Sequence, residues 1–161
     1  MKKLIIIIFL FLFGIQSQVY AFEFNSPPEK IIIPSLKISL PVTTTKIIND
    51  TWDVSYTSAS FGETTTIPGK QGNTVIFAHS LPHLFESLPN IKKQDIIHIF
   101  TDKDWFKYKV VEIKTVEPED INVLMKNENY ELTLYTCTGD NWGKRFIVKA
   151  KLISSIFPES F

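Results

Sequence analysis

Glu131-Leu132-Thr133-Leu134-Tyr135-Thr136-Cys137, then the polar turn Thr138-Gly139-Asp140-Asn141-Trp142-Gly143-Lys144, then Arg145-Phe146-Ile147-Val148-Lys149-Ala150-Lys151-Leu152-Ile153: this stretch decides the fold. Leu132 and Leu134 alternate with Thr133 and Tyr135. Across the turn, Phe146, Val148, Ala150 and Leu152 alternate with their neighbours. A period of two marks half-buried strands, so the stretch reads as two strands joined by a turn. Working outward, further short runs rich in β-branched and aromatic residues appear. They are Lys30–Ile33, Leu36–Val42 (ended by Pro41), Trp52–Tyr56, Thr74–Ala78, Asp95–Phe100 and Phe106–Val116, the last slipping phase after Val110. Seven or eight short strands in roughly 130 residues predict an all-β fold, a closed or nearly closed β-barrel. Helical signal is thin. Leu81–Leu88 has room for one or two turns, and Glu117-Pro118-Glu119-Asp120 ahead of Ile121–Met125 reads as a short helix with acids in its first turn. No repeat is visible, and His83 and His98 lack the ligand spacing of a zinc site, so no metal and no cofactor are expected.

The N-terminus reads as an export segment. Lys2 and Lys3 precede an apolar run of 12 residues, Leu4 to Ile15, followed by Gln16-Ser17-Gln18 and Val19-Tyr20-Ala21. That length suits a signal-peptide core and is short of the roughly 20 residues of a spanning helix. Residues 1–21 are therefore expected to be a signal peptide or an N-terminal membrane anchor, and 22–30, with Pro27-Pro28, a stiff linker. The rest forms one domain, long enough to build a core without disulfides. Losing Lys2 and Lys3 leaves 15 basic against 17 acidic residues. A near-neutral, slightly acidic domain offers no basic face for a nucleic-acid partner.

The chain has one cysteine, Cys137, and one arginine, Arg145; every other basic residue is lysine. A lone thiol in an exported protein cannot pair internally, so it is either buried and inert or used. The neighbours Thr136, Thr138 and Gly139 are not an apolar context. A guanidinium supplies a planar, permanently charged fork of donors that lysine cannot copy. His79 ends the apolar run Val75-Ile76-Phe77-Ala78, Cys137 ends one strand and Arg145 opens the next. Strand ends can converge on one rim of a barrel. Together the three make an acyl-transfer set: thiolate nucleophile, imidazole acid and base, and guanidinium facing an oxyanion.

Thr133-Leu134-Tyr135-Thr136-Cys137 resembles the TLxTC signature of sortases, the cysteine transpeptidases of bacterial cell surfaces. The likeness extends through Ile31-Ile32-Ile33-Pro34-Ser35-Leu36, Trp52, Pro68-Gly69-Lys70-Gln71-Gly72-Asn73, Leu84-Phe85-Glu86-Ser87-Leu88 and Val116 to Asp120. It implies an eight-stranded sortase-type barrel with one or two short helices over 31–161, and His79, Cys137 and Arg145 as the catalytic set. It also implies cleavage of an LPxTG-like sorting signal through a Cys137 thioester. The acyl group would pass to an amine of the cell envelope, such as a peptidoglycan precursor, at the outer face of the membrane. One departure is Ala78, where sortases usually place Gly before the histidine. Some sortases use calcium near the loop after strand six; with no long acidic insertion, no calcium requirement is expected here. The rival expectations are an exported cysteine endopeptidase that mainly hydrolyses, and a catalytically silent peptide-binding barrel.

Four residues are candidates for substrate contact, each with a plainer alternative. Thr136 hydrogen-bonds substrate or backbone, or is simply a strand threonine. Trp142 lines the groove beside the nucleophile, or packs on the barrel end. Ile121 and Val123, in the region that reads the Leu-Pro part of sorting signals in sortases, form an apolar pocket or anchor a short helix to the core.

Overall fold

The computed structural model describes residues 26–48 and 51–156, so the expected export segment and residues 157–161 lie outside the described residues. The β-branched and aromatic runs form strands, as such side chains pack well on a pleated, half-buried surface. In chain order these are β1 Lys30–Ile33, β2 Ile38–Thr45, β3 Ile47–Ile48, β4 Thr51–Trp52, β5 Ala59–Gly62, β6 Gly72–Phe77, β7 Ile96–Phe100, β8 Trp105–Val116, β9 Tyr130–Thr138 and β10 Lys144–Ile156. Eight of them close a barrel in the order β1-β2-β5-β6-β9-β10-β8-β7, while β3 and β4 pair separately. Closure removes the open edges that a flat sheet of these eight strands would have. Two neighbouring pairs, β2 with β5 and β6 with β9, run parallel.

Inward-pointing residues from alternate positions fill the barrel, among them Ile31, Ile33, Phe61, Ile76, Ile97, Ile99, Phe106, Tyr108, Leu132, Leu134 and Val148. Burying each large apolar side chain contributes about 1.5–3 kcal/mol. The segment after β6 joins this core through Leu84, Phe85, Leu88 and Ile91. Tyr108, sealed inside, has its phenol pushed up to about 12 by burial, so it stays neutral in the core.

Three local features differ from the sequence-based expectation. The strand expected at Trp52–Tyr56 is only Thr51–Trp52, outside the barrel, and the barrel strand in that region is Ala59–Gly62. Strand β2 runs through Pro41 to Thr45 rather than ending there. Pro41 is the last residue of β2 paired with β1, and Val42 the first paired with β5, so the missing N–H falls where the strand changes partners. Neither expected short helix is an α-helix: Leu81–Leu88 forms turns that run into a 3-10 turn at Leu88–Asn90, and the second is the 3-10 turn Ile121–Leu124. Gly72 opens β6 at φ 140°, and a Cβ there would sit 2.1 Å from the Thr66 hydroxyl, so no larger residue fits.

Candidate active site

Strands β6, β9 and β10 lie side by side. Leu132 and Leu134 point into the core, which turns Thr133, Tyr135 and Cys137 to the outer face of β9. The same alternation puts Phe77 outward on β6, and Arg145, Ile147 and Lys149 outward on β10. In register, Phe77 pairs with Tyr135 and Cys137 with Arg145. His79 lies two residues beyond Phe77, as Cys137 does beyond Tyr135. β6 ends at Phe77; carried two residues past that end, the same register puts the position of His79 level with Cys137, so the three positions form one row, with Cys137 and Arg145 paired on strands about 4.8 Å apart. The thiol is the middle member and is half-buried, not sealed in the core.

Each member is held by its surroundings. The Ala78 N–H donates to the Tyr135 carbonyl at 3.4 Å, extending the ladder past the end of β6. Thr136 is 1% exposed, and its hydroxyl donates to the Ala78 carbonyl at 2.8 Å. Of the roles expected for Thr136, the backbone bond is the one present: its side chain faces the core and ties β9 to the histidine segment. The Phe85 N–H, from a fully buried residue, donates to the His79 carbonyl at 3.1 Å. Ala78 is not among the residues with positive φ, so alanine meets no backbone penalty before the histidine.

The imidazole of His79 also has a ring partner that sequence reasoning missed. Tyr56 stacks on it with centroids 4.3 Å apart and planes 24° from parallel. His83, which lies in the segment after β6, holds the Tyr56 carbonyl through Nε2 at 2.9 Å. No periodicity marks Tyr56, because it lies in a loop between β4 and β5.

Arg145 is anchored by one end of its fork: Nη1 donates to the carbonyls of Trp142 and Lys144, each at 3.1 Å. The Trp142 carbonyl is presented by a tight loop with Gly139, Asn141 and Trp142 all at positive φ. For Trp142, at φ 58°, that conformation is costly, about 1–2 kcal/mol. Strain of this kind persists where the surroundings fix it, here between Cys137 and Arg145. Trp142 is 58% exposed.

A groove of about 660 Å³ runs along this outer face to Arg145, floored by Trp52, Tyr135 and Ile147 and walled by Ile121, Val123 and Met125. Trp142 is not among its lining residues. Trp52 stacks on Phe77 at 4.9 Å, and Phe77 on Tyr135 at 4.9 Å, so the groove-lining Trp52 and Tyr135 rest on a buried aromatic ring. Burial pushes the Tyr135 phenol far above its usual value, with Arg145 opposing and Cys137 adding to the shift. Tyr135 therefore stays a neutral hydrogen-bonding and packing group. Ile121 is 63% exposed at the groove and Val123 is buried in its wall. Among the described residues, no group of three or more His, Cys, Asp or Glu is placed to hold a metal ion, and no helix is long and apolar enough to cross a membrane.

A family model described as "Sortase domain" matches residues 31–153, and the chain belongs to the sortase family. It is similar to Sortase A of Bacillus anthracis, 28% identical over 78% of this chain and 60% of the relative. It is also similar to Sortase A of Streptococcus agalactiae, 31% identical over 76% of this chain and 51% of the relative. The chain thus spans only half to three-fifths of the length of these relatives. Among solved structures it resembles a Clostridium perfringens Sortase D5 transpeptidase at 28% identity and TM-score 0.69, covering 82% of this chain and 83% of that one.

Proposed function

We propose that this protein is a sortase-type cysteine transpeptidase acting at the cell envelope. The observation that carries the reading is Cys137 paired with Arg145 on β9 and β10, with His79 following the end of the adjacent β6 and Arg145 lining a largely apolar groove. The substrate is an extended peptide, an LPxTG-like sorting signal of an exported protein, lying along β6, β9 and β10. The Cys137 thiolate attacks the scissile carbonyl carbon, forming the C–S bond. Arg145 donates to the oxygen as it becomes anionic. The C–N bond breaks, the leaving amine takes its proton from His79, and a thioester remains. An acceptor amine then attacks the thioester, giving its proton to His79. A new C–N bond forms and the thiolate is restored. The acceptor class is an envelope amine such as that of a peptidoglycan precursor. Residues 1–21 bring the domain to the outer face of the membrane, as a cleaved signal or an anchor.

Incubation with a sorting-signal peptide, with and without a glycine- or diaminopimelate-type amine, tests the reading by intact-mass analysis. An acyl shift on the protein and an amine adduct of the peptide are expected. A product formed only with water assigns the chain to the hydrolysing endopeptidases, and peptide binding without any acyl shift makes it a silent barrel.

The Tyr56 stack gives a second expected result. Tyr56→Ala removes the ring that holds His79 in plane, and aromatic stacks of this kind contribute about 0.5–1.5 kcal/mol. Its kcat/KM should fall about two- to tenfold, with the melting temperature nearly unchanged because Tyr56 is 68% exposed. Unchanged kinetics would leave the stack without a role in orienting the imidazole.

A further inference from the structure

The groove wall formed by Ile121, Val123, Leu124 and Met125 has little structure of its own. It is one 3-10 turn, Ile121–Leu124, whose N-cap Asp120 makes no side-chain capping bond. What holds it is a buried polar cluster on the outer face of β6, β9 and β10. Lys149 is only 8% exposed. Its ammonium donates to the Val123 carbonyl at 2.5 Å and to Glu131 Oε1 at 2.6 Å. Asn127 Nδ2 donates to the same Glu131 oxygen at 2.9 Å. From β6, Asn73 donates through Nδ2 to the carbonyls of Val123 at 3.4 Å and Met125 at 3.3 Å. Thr133 donates to Asn73 Oδ1 at 2.6 Å, which fixes the amide's orientation. Two independent donors from the sheet are therefore aimed at backbone carbonyls of the same wall.

Stability alone does not account for this cluster. A buried ion pair is often no more stabilising than apolar side chains of the same volume. What lysine and asparagine do that apolar residues cannot is fix where two carbonyls sit, and with them the Ile121, Val123 and Leu124 side chains. Preforming a binding wall removes the ordering cost that a ligand would otherwise meet.

We propose that Lys149, clamped by Glu131, and Asn73 form a positioning cluster that holds the 121–126 wall ready for the substrate peptide. It acts on binding rather than on bond breaking. Lys149 lies four residues along β10 from Arg145, about 13 Å at the rise of a strand. The proposal rests on the groove being the substrate's, as argued above.

The test uses the full chain and the variant Lys149→Met/Glu131→Met, which removes both charges and keeps the volume. Backbone hydrogen exchange, which needs no substrate, reads the wall directly. Amides of residues 121–126 should exchange at least about tenfold faster than in the native protein, while β6, β9 and β10 keep their protection. With a sorting-signal peptide, KM should rise about tenfold and kcat stay within about twofold, the signature of lost ground-state binding. If the double variant fails to fold, Asn73→Asp tests the same wall by replacing the amide donor with an acceptor of equal size, and the same changes are expected. Unchanged exchange at 121–126 overturns the proposal, as does a KM that stays native while exchange quickens. If the native protein turns over no sorting peptide, exchange still decides whether the cluster holds the wall, and the failure falls on the transpeptidase reading alone.

Discussion

Cys137→Ala is expected to leave a folded protein that binds a sorting peptide and never acylates. The side chain stands on the outer face of β9, between the positions of His79 and Arg145, and contributes nothing to the barrel interior. A half-buried, outward-facing site loses about 1 kcal/mol or less on truncation, so the melting temperature should fall by only a few degrees. Chemistry, by contrast, has no substitute. The described residues hold no other thiol. Without Sγ there is no atom to carry the acyl group, and the two remaining members of the row can only polarise a bound peptide. Intact mass after incubation with peptide should show the unmodified chain, while calorimetric or fluorescence titration should still report peptide in the groove. An acyl shift that persists in Cys137→Ala would place the nucleophile elsewhere and dissolve the proposed mechanism.

The sequence was most readable where side chains alternate. Phe146, Val148, Ala150 and Leu152 announce β10, and Leu132 and Leu134 announce β9, because one face of each meets the core and the other meets water or the groove. Alternation fails for Ala59-Ser60-Phe61-Gly62. All four residues are buried, so the barrel strand carries no polar phase to read, while Trp52–Tyr56 offered a more strand-like composition. Parallel pairing of β6 with β9 was equally hidden. Nothing local records it, yet it brings the ends of Thr74–Ala78 and Glu131–Cys137 together. The outward residues were the harder half of the site. Lys149 has the spacing of a solvated strand residue and is in fact buried, because a segment 26 residues earlier folds over it. Tyr56 and Trp52 reach the site from loops and a two-stranded ribbon, and no periodicity predicts what a loop covers. Cys137 and Arg145 stood out for a different reason: each is the only residue of its kind.

Arg145→Lys is expected to lose about 10²–10³-fold in kcat/KM, the cost of one lost oxyanion donor in a preorganised site. The substitution keeps the charge, so a field effect alone would survive it. What it removes is the fork. One nitrogen of the guanidinium is already committed to the carbonyls of Trp142 and Lys144, and this fixes the plane of the group relative to Cys137. An ammonium has a single nitrogen for both tasks. If it satisfies the loop carbonyls it leaves the oxyanion, and if it turns to the oxyanion it releases the loop that presents it. The released loop has Asn141 and Trp142 at positive φ, so losing its tether lets it relax away from the row. The loss should therefore appear mainly in kcat. Thermal stability should stay close to native, since Arg145 is only partly buried and makes no ion pair among the described residues. Single-turnover acylation by quenched mass spectrometry separates this step from transfer to the amine. Acylation at the native rate in Arg145→Lys would remove the guanidinium from oxyanion stabilisation and leave Arg145 a structural tie for the 139–143 loop.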